Sequence, residues 1–274
     1  MQTAPVASHA IDVRTITPSD AAAMLSRNSR NRSLRPLYAA ALARDMVAGR
    51  WVFTGDPIRL FEDGEVADGQ HRLRAVVMCG IPQTFAVVSG VSEDAMQAID
   101  SGRKRSGSDR LALAGVKNAK RIAPTLNLMA VLAQGAYSAS LTGPEMFAAM
   151  AMHPDVTASV EATHNVGLGC ENIIAALHYA GTFAGHEAQA DAMLSVFSAQ
   201  ANPTSPFHVA RERIIKLRDG RRRQHRDEMV AIICSAFAAA VAGREVSRLQ
   251  PGPYRRSPGI HGWRAHHMPQ GKAQ

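Results

Sequence analysis

Six consecutive residues, Asp68-Gly69-Gln70-His71-Arg72-Leu73, offer the clearest chemistry in this chain. They stand between a strand pattern and a helix pattern. Upstream, Pro57-Ile58-Arg59-Leu60-Phe61 reads as a strand, Glu62-Asp63-Gly64-Glu65 as a turn, and Val66-Ala67 opens a second strand. Downstream, Leu73, Ala75, Val76 and Val77 make an apolar helical turn that stops near Cys79-Gly80-Ile81-Pro82. A glycine followed by His and Arg at a helix start suits phosphate. The N–H groups of a first helical turn point at an anion, the helix dipole favours negative charge there, and arginine adds a two-pronged fork. The same residues also describe a turn glycine followed by a capped surface helix.

A second polar turn, Arg103-Lys104-Arg105-Ser106-Gly107-Ser108-Asp109, precedes a helix with Ser108 as its expected cap. Such a turn could close over phosphates with Arg103, Lys104 or Arg105 as cations, or serve as a solvated linker between domains.

The elements that must position these turns follow from pattern. Thr17-Pro18-Ser19-Asp20 is a helix start, with a capping Thr and Pro at the first helical position. A second helix runs from Pro36 to Val47, with Leu37, Ala41, Leu42 and Met46 as its expected apolar face. Strands are expected at Trp51–Phe53, Ile58–Phe61, Val66–Ala67 and Thr84–Val88, with Thr15-Ile16 as a possible addition and Trp51 packed over the sheet. A short helix is expected over 93–99. From residue 110 the helical period dominates, with helices expected over 108–114, 118–134, 143–152, 155–164, 171–184, 186–200, 205–219 and 222–243. Residues 1–10 read as a loose leader. The tail, rich in Pro, Gly, Arg and His, reads as disordered, its His261, His266 and His267 included.

Asp56-Pro57-Ile58, Gly64, Asp68-Gly69-Gln70-His71-Arg72-Leu73, Ala75 and Gly80-Ile81-Pro82 together resemble the N-terminal domain of ParB-type proteins. That superfamily also holds sulfiredoxin and a free-serine kinase. ParB proteins carry Gly-Glu-Arg-Arg at this place, sulfiredoxin Gly-Cys-His-Arg, and the kinase Asp-Gly-His-His-Arg. The chain is most similar to the last two, and to a DGQHR-type branch found in phages and other mobile elements, in which the basic-Ser turn also recurs. The resemblance implies an α/β (α+β) ParB/sulfiredoxin-like nucleotide-binding domain over residues 10–115; the helical period then gives an all-α helical domain over 116–250, and composition a disordered basic tail over 251–274. It implies a nucleoside triphosphate, ATP or CTP, with Mg²⁺. Gly69 would let the backbone approach the phosphates, with Gln70, His71 and Arg72 as their contacts. The kinase-like alternative is a nucleotide-dependent phosphotransferase or DNA-modification enzyme, with Asp68 as catalytic candidate beside the terminal phosphate. Asp68 could instead only cap the turn. Gln70 stands where sulfiredoxin has its nucleophile, so sulfinic acid reduction is not expected. A nuclease is disfavoured because no compact cluster of metal-binding carboxylates is seen.

The net charge of +8 is unevenly spread. Residues 1–110 carry +2, 111–204 carry −3 and 205–256 carry +7. The positive stretch holds Arg211, Arg213, Lys216, Arg218, Arg221, Arg222, Arg223 and Arg226, a candidate DNA-facing surface. A basic surface with no specific partner would look the same. Two helices joined by a Gly-containing turn fit a helix-turn-helix and fit an ordinary helical hairpin equally.

Composition excludes other classes. No run reaches transmembrane length. The start, Met1-Gln2-Thr3-Ala4-Pro5, lacks a basic segment followed by an apolar one, so no signal peptide is expected. Cys79, Cys170 and Cys234 are too widely spaced for a metal or redox pair and read as buried thiols of a cytoplasmic protein. The expected partners are nucleotide and DNA, not membrane, and a homodimer is possible.

Overall fold

The computed structural model describes residues 10–31, 33–93, 95, 105–134, 140–164, 166–198, 203–219, 226–249, 260 and 262–269. They form a mixed α+β protein of two compact units, which divide between Lys104 and Arg105.

The first unit is built on a four-stranded sheet in the order β1-β4-β2-β3: β1 Ala10–Ile16, β2 Ile58–Phe61, β3 Val66–Asp68 and β4 Gln83–Val91. β4 pairs antiparallel with β1 and parallel with β2, while β2 and β3 form an antiparallel hairpin. Alternation along the strands sends Ile16, Ile58, Leu60, Phe85 and Val87 to one face, where they form the core with three helices. Those helices are α1 Pro18–Ser26, α2 Pro36–Val47 and α3 Gln70–Cys79. Thr17 caps α1 in a reciprocal box with Asp20, as its sequence predicts. α3 is bounded by two left-handed glycines, Gly69 at its start and Gly80 at its end.

Two expectations for this unit are corrected. Trp51–Phe53 is not a strand: β1 takes the free edge of β4 over all seven of its residues, and residues 51–53 pair with no strand. Trp51 still packs on the sheet, edge-to-face with Phe85 at 5.7 Å. On α2 the buried residues include Ala39, Ala41, Ala43 and Met46, while Leu37 is exposed. An alanine-rich helix has no bulky stripe to choose its face, and here small residues let it lie close against α3. Only residues 93 and 95 of the helix expected over 93–99 lie among the described residues.

The second unit is helical: α4 Gly107–Leu113, α5 Ala119–Gln134, α6 Gly143–Met152, α7 Val156–Ala162, α8 Glu171–Phe183, α9 Glu187–Phe197, α10 Pro206–Asp219 and α11 Arg226–Val241, with a 3₁₀ turn at Ala265–His267. Capping boxes at Ser106/Asp109 and Thr142/Glu145 start α4 and α6. The cap of α4 is therefore Ser106, not Ser108. α4 packs on α5 and seats Leu111 in the helical core, which moves the boundary from 115 back to 104. α8 packs on α5, α7 and α9, and α11 packs on α10 and α9. On α11, Met229, Val230, Ile232, Ile233, Cys234, Ala236 and Phe237 are all buried, so it has no single apolar face. Gly181 of α8 makes room for it: a Cβ there would lie 2.5 Å from the Phe237 ring. All three cysteines are free and buried, and desolvation pushes the Cys170 thiol up to about 12.

The expected disordered tail is corrected in part. Ile260, Trp263 and Met268 are buried in the helical core, and the Trp263 indole N–H donates to the Met129 carbonyl at 2.9 Å. His153, Phe183 and His267 surround the same indole. Large aromatic burial overrides a polar local composition. Residues 251–259, His261 and 270–274 lie outside the described residues.

Trp263→Ala is therefore expected to destabilise the helical unit by about 3–5 kcal/mol, the usual cost of emptying a buried aromatic site. Chemical denaturation followed by circular dichroism checks this; an unchanged midpoint would show that the tail segment does not dock.

Candidate functional site

The turn from β3 into α3 is made by Gly69, with φ 104° and ψ 5°. Side-chain-bearing residues rarely adopt this backbone. Space demands glycine as well, since a Cβ would sit 2.5 Å from Ile58 Cδ1 and 3.3 Å from Ile58 Cα. β2 and the start of α3 thus touch through this residue. No side chain caps α3 through its N-cap position.

The side chains that flank Gly69 turn mainly into the fold. Asp68 Oδ2 accepts from Arg59 Nη1 at 2.8 Å and from Arg72 Nη2 at 3.2 Å. Arg72 also donates from Nη1 to the Asp56 carbonyl at 2.7 Å and from Nη2 to the Pro57 carbonyl at 2.8 Å. It therefore braces the chain ahead of β2 against the end of β3. Gln70 is buried, and its Oε1 accepts from Asn28 Nδ2 at 3.1 Å. His71 is buried with its Nε2 accepting the Arg35 N–H at 3.0 Å, and the Tyr38 ring stands edge-on at 5.3 Å. With Nε2 as acceptor, a neutral His71 carries its proton on Nδ1.

The structure brings Asp68, Gly69, Gln70, His71 and Arg72 together as expected, but gives three side chains other work. Gln70 and His71 anchor loops, and Arg72 holds two backbone carbonyls. What is part-exposed at this junction is Asp68 with Arg59 and Arg72 beside it, while Gly69 itself is buried.

Pattern reading missed the loop that supports the turn. Asn28-Ser29-Arg30-Asn31 reads only as a helix breaker, yet it clamps the β2–β3 hairpin. Glu65 accepts the backbone N–H groups of Ser29 and Arg30, the Ser29 hydroxyl at 2.8 Å and Arg30 Nε at 2.8 Å. Arg30 reaches Glu93 at 2.8 Å and also pairs with Asp63, while its guanidinium lies 4.5 Å over the Phe61 ring. Asn31 donates to Asn28 at 2.6 Å and to the Val66 carbonyl, which completes a chain of amides leading to Gln70. The signal was a run of short polar donors between two helices, facing a single buried Glu. Arg30 and the Ser29 hydroxyl hold the Glu65 carboxyl down at about 2.

The other expected residues fare differently. Arg105 is exposed at the start of the second unit; Arg103 and Lys104 lie outside the described residues. On α10, Lys216 and Arg218 are exposed, but Arg211 and Arg213 are half-buried. Arg213 donates to the Leu249 carbonyl, Arg218 to that of Gly167 at 3.1 Å, and Arg226 to that of Pro124 at 3.2 Å. These arginines tie segments of the helical unit together, so the basic stretch is not one free cationic face. Arg221, Arg222 and Arg223 lie outside the described residues. Most of α11 from Met229 to Phe237 is buried, which leaves its first turn, Arg226 to Glu228, open in part to solvent.

Among the described residues no group of three or more His, Cys, Asp or Glu could hold a metal. One unforeseen relay occurs. Ser159 Oγ lies 2.9 Å from His178 Nδ1, whose Nε2 lies 3.2 Å from Asp191 Oδ1. Ser159 is only 5% exposed on α7, too deep to meet a substrate, so the relay joins helices. No helix among the described residues is long and apolar enough to cross a membrane.

Comparison of the chain with protein families, curated proteins and solved structures finds no match.

Two measurements test this geometry. Gly69→Ala should destabilise the first unit by roughly 2–5 kcal/mol, from left-handed strain plus overpacking against Ile58; a thermal midpoint equal to wild type would refute the close approach. The Glu65 carboxyl is lowered from 4.5 to about 2 by folding. A lowered folded value means the stabilisation is complete above about pH 4.5 and is lost as the pH falls toward 2. The acid limb of stability against pH should therefore be shallower in Glu65→Gln, which should also be less stable at neutral pH.

Proposed function

We propose that the first unit is a ParB/sulfiredoxin-like domain that binds a nucleoside triphosphate with Mg²⁺, and that the chain works in association with DNA. The observation that carries this reading is the β3–α3 junction. A strand ends at Asp68, a left-handed glycine brings the backbone around, and a ten-residue helix starts there without a side-chain cap. Backbone N–H groups and helix dipole then converge where an anion would sit. Two guanidiniums share a single oxygen of Asp68, so the turn carries cations that an incoming phosphate can engage.

In this reading the backbone of Gly69 and the residues after it hold the phosphates. Arg59 and Arg72 supply charge. Gln70 and His71 work from behind, fixing the turn to the Asn28 loop and to the start of α2. Arg72 is foremost a positioning residue, because its fork holds the Asp56 and Pro57 carbonyls. Mg²⁺ would be carried mainly by the phosphate oxygens, with Asp68 the carboxylate at hand, as is usual for a cation that keeps several waters. DNA association rests on the charge of residues 205–256, through phosphate contacts.

The test is calorimetric titration with ATP, CTP, GTP and UTP, each with Mg²⁺, with and without duplex DNA. At least one triphosphate should bind, and Arg72→Lys, which keeps the charge but cannot reproduce the fork, should weaken it about tenfold while the protein stays folded. Turnover of the bound nucleotide would move the reading to a phosphotransferase with Asp68 at its centre. DNA affinity should fall steeply with salt, by about 0.9 in log K per phosphate contacted and log unit of salt, and neutralising Arg221, Arg222 and Arg223 together should flatten that slope. Absence of binding for all four triphosphates would remove the nucleotide assignment.

A further inference from the structure

β1 is an edge strand of unusual openness. Among the described residues no strand lies along its outer side. Six of its seven residues are exposed, and only Ile16 is buried. Ile11 is 74% exposed and Val13 60%. Its pairing with β4 runs without a bulge from Ala10 to Ile16, and it contains no proline, glycine or lysine. Natural edges are normally blunted by such devices, because an unpaired row of N–H and C=O groups is a template for another strand.

The side chains of this edge match a second copy of themselves. Asp12 and Arg14 flank Val13 symmetrically and bond one another at 2.9 Å. If two β1 strands run antiparallel about a two-fold axis at Val13, Asp12 of one copy stands opposite the partner's Arg14, and Arg14 opposite the partner's Asp12. Both charge pairs are satisfied by one symmetric arrangement, which is what a closed two-fold interface requires. Ile11 then faces the partner's Thr15, and Val13 faces the partner's Val13. No other centre on the strand places opposite charges across from each other.

The backbone is set for the same register. The Val13 N–H donates to Asp12 Oδ1 at 2.8 Å, so this donor faces the open edge and already takes an oxygen there. In the symmetric pair a carbonyl of the partner's Val13 occupies that place, and the Asp12 carboxylate swings to the partner's Arg14. Val13 with the partner's Val13 is then a hydrogen-bonded pair, and the Asp12–Arg14 pairs fall at the alternate positions, where facing side chains come closest.

We propose that two copies of this chain pair through β1 in this register, joining their four-stranded sheets into one of eight strands. Ile11, Val13, Ala86 and Val88 share one face, by the register of β1 with β4. The pairing would make that apolar strip continuous across both copies. It does not depend on the nucleotide reading. The contact is narrow, so the dimer is expected to be reversible and concentration-dependent.

Sedimentation velocity of the full chain across a wide concentration range tests the proposal. Wild type should shift from monomer to dimer. Arg14→Asp sets like charges opposite one another and should weaken dimerisation at least tenfold, as should Asp12→Arg. The double variant D12R/R14D exchanges the two charges and should restore the dimer, which neither a folding defect nor a generic surface effect would do. Val13→Pro removes the outward donor and should also leave monomer, while circular dichroism shows the fold retained, since proline is tolerated where a strand's N–H faces outward. A wild type that stays monomeric throughout, or a dimer that persists in Arg14→Asp and Val13→Pro, would overturn the proposal. So would failure of the double variant to recover the dimer.

Discussion

The first unit depends on how closely β2 and α3 approach at Gly69, and on the arginine that holds them there. With no Cβ at residue 69, the turn lies against Ile58, and the ladder between β2 and β3 can end in a helix within one residue. Arg72, in the first turn of that helix, reaches back to the carbonyls of Asp56 and Pro57 and to the Asp68 carboxylate. A planar fork suits this task, because several acceptors can be held at once in fixed directions. The same bonds set the direction in which α3 leaves the sheet. Any anion bound at the helix start would therefore meet a turn whose backbone is already in place, with little ordering cost left to meet.

Around that junction the polar residues divide into two shells of one network. Glu65 gathers Ser29 and Arg30, and the amides of Asn28 and Asn31 pass the constraint on to Gln70. Such networks are favourable when each member is satisfied, and costly when one partner is removed. This explains why a buried Gln and a buried His can stand side by side at the start of α3. Each has a specific partner from a loop distant in sequence.

Much of the architecture was legible in the residue pattern. Capping Thr and Ser residues, prolines at first helical positions and glycines at helix ends have local causes, so the helix limits follow from them. Pro36–Val47 and Gly143–Met152 fall where their punctuation puts them. The place of the Asp68–Arg72 turn was legible for the same reason. The direction of its side chains was not, because whether Arg72 meets a ligand or the Asp56 carbonyl depends on a chain segment sixteen positions away. The docking of Trp263 was hidden likewise: its partner is the carbonyl of Met129, 134 positions back in the chain. The arginines of residues 205–226 were read from charge alone, and charge does not say which of them are held by backbone carbonyls.

The position of α11 in the helical unit has a consequence for how the protein is made. Helices α5, α7 and α9 pack chiefly on α8, and α11, which begins only at Arg226, packs on α10 and α9. On the ribosome the helices up to α9 are complete before α11 leaves the exit tunnel. Until then the seat at Gly181 waits for Phe237. Synthesis proceeds from the N-terminus, so the sheet-bearing unit, whose own core lies within the first ninety-odd residues, can close early while the helical unit closes late. The half-made chain is thus a folded head carrying a helical body that still lacks its last helix, with the place beside Gly181 unfilled.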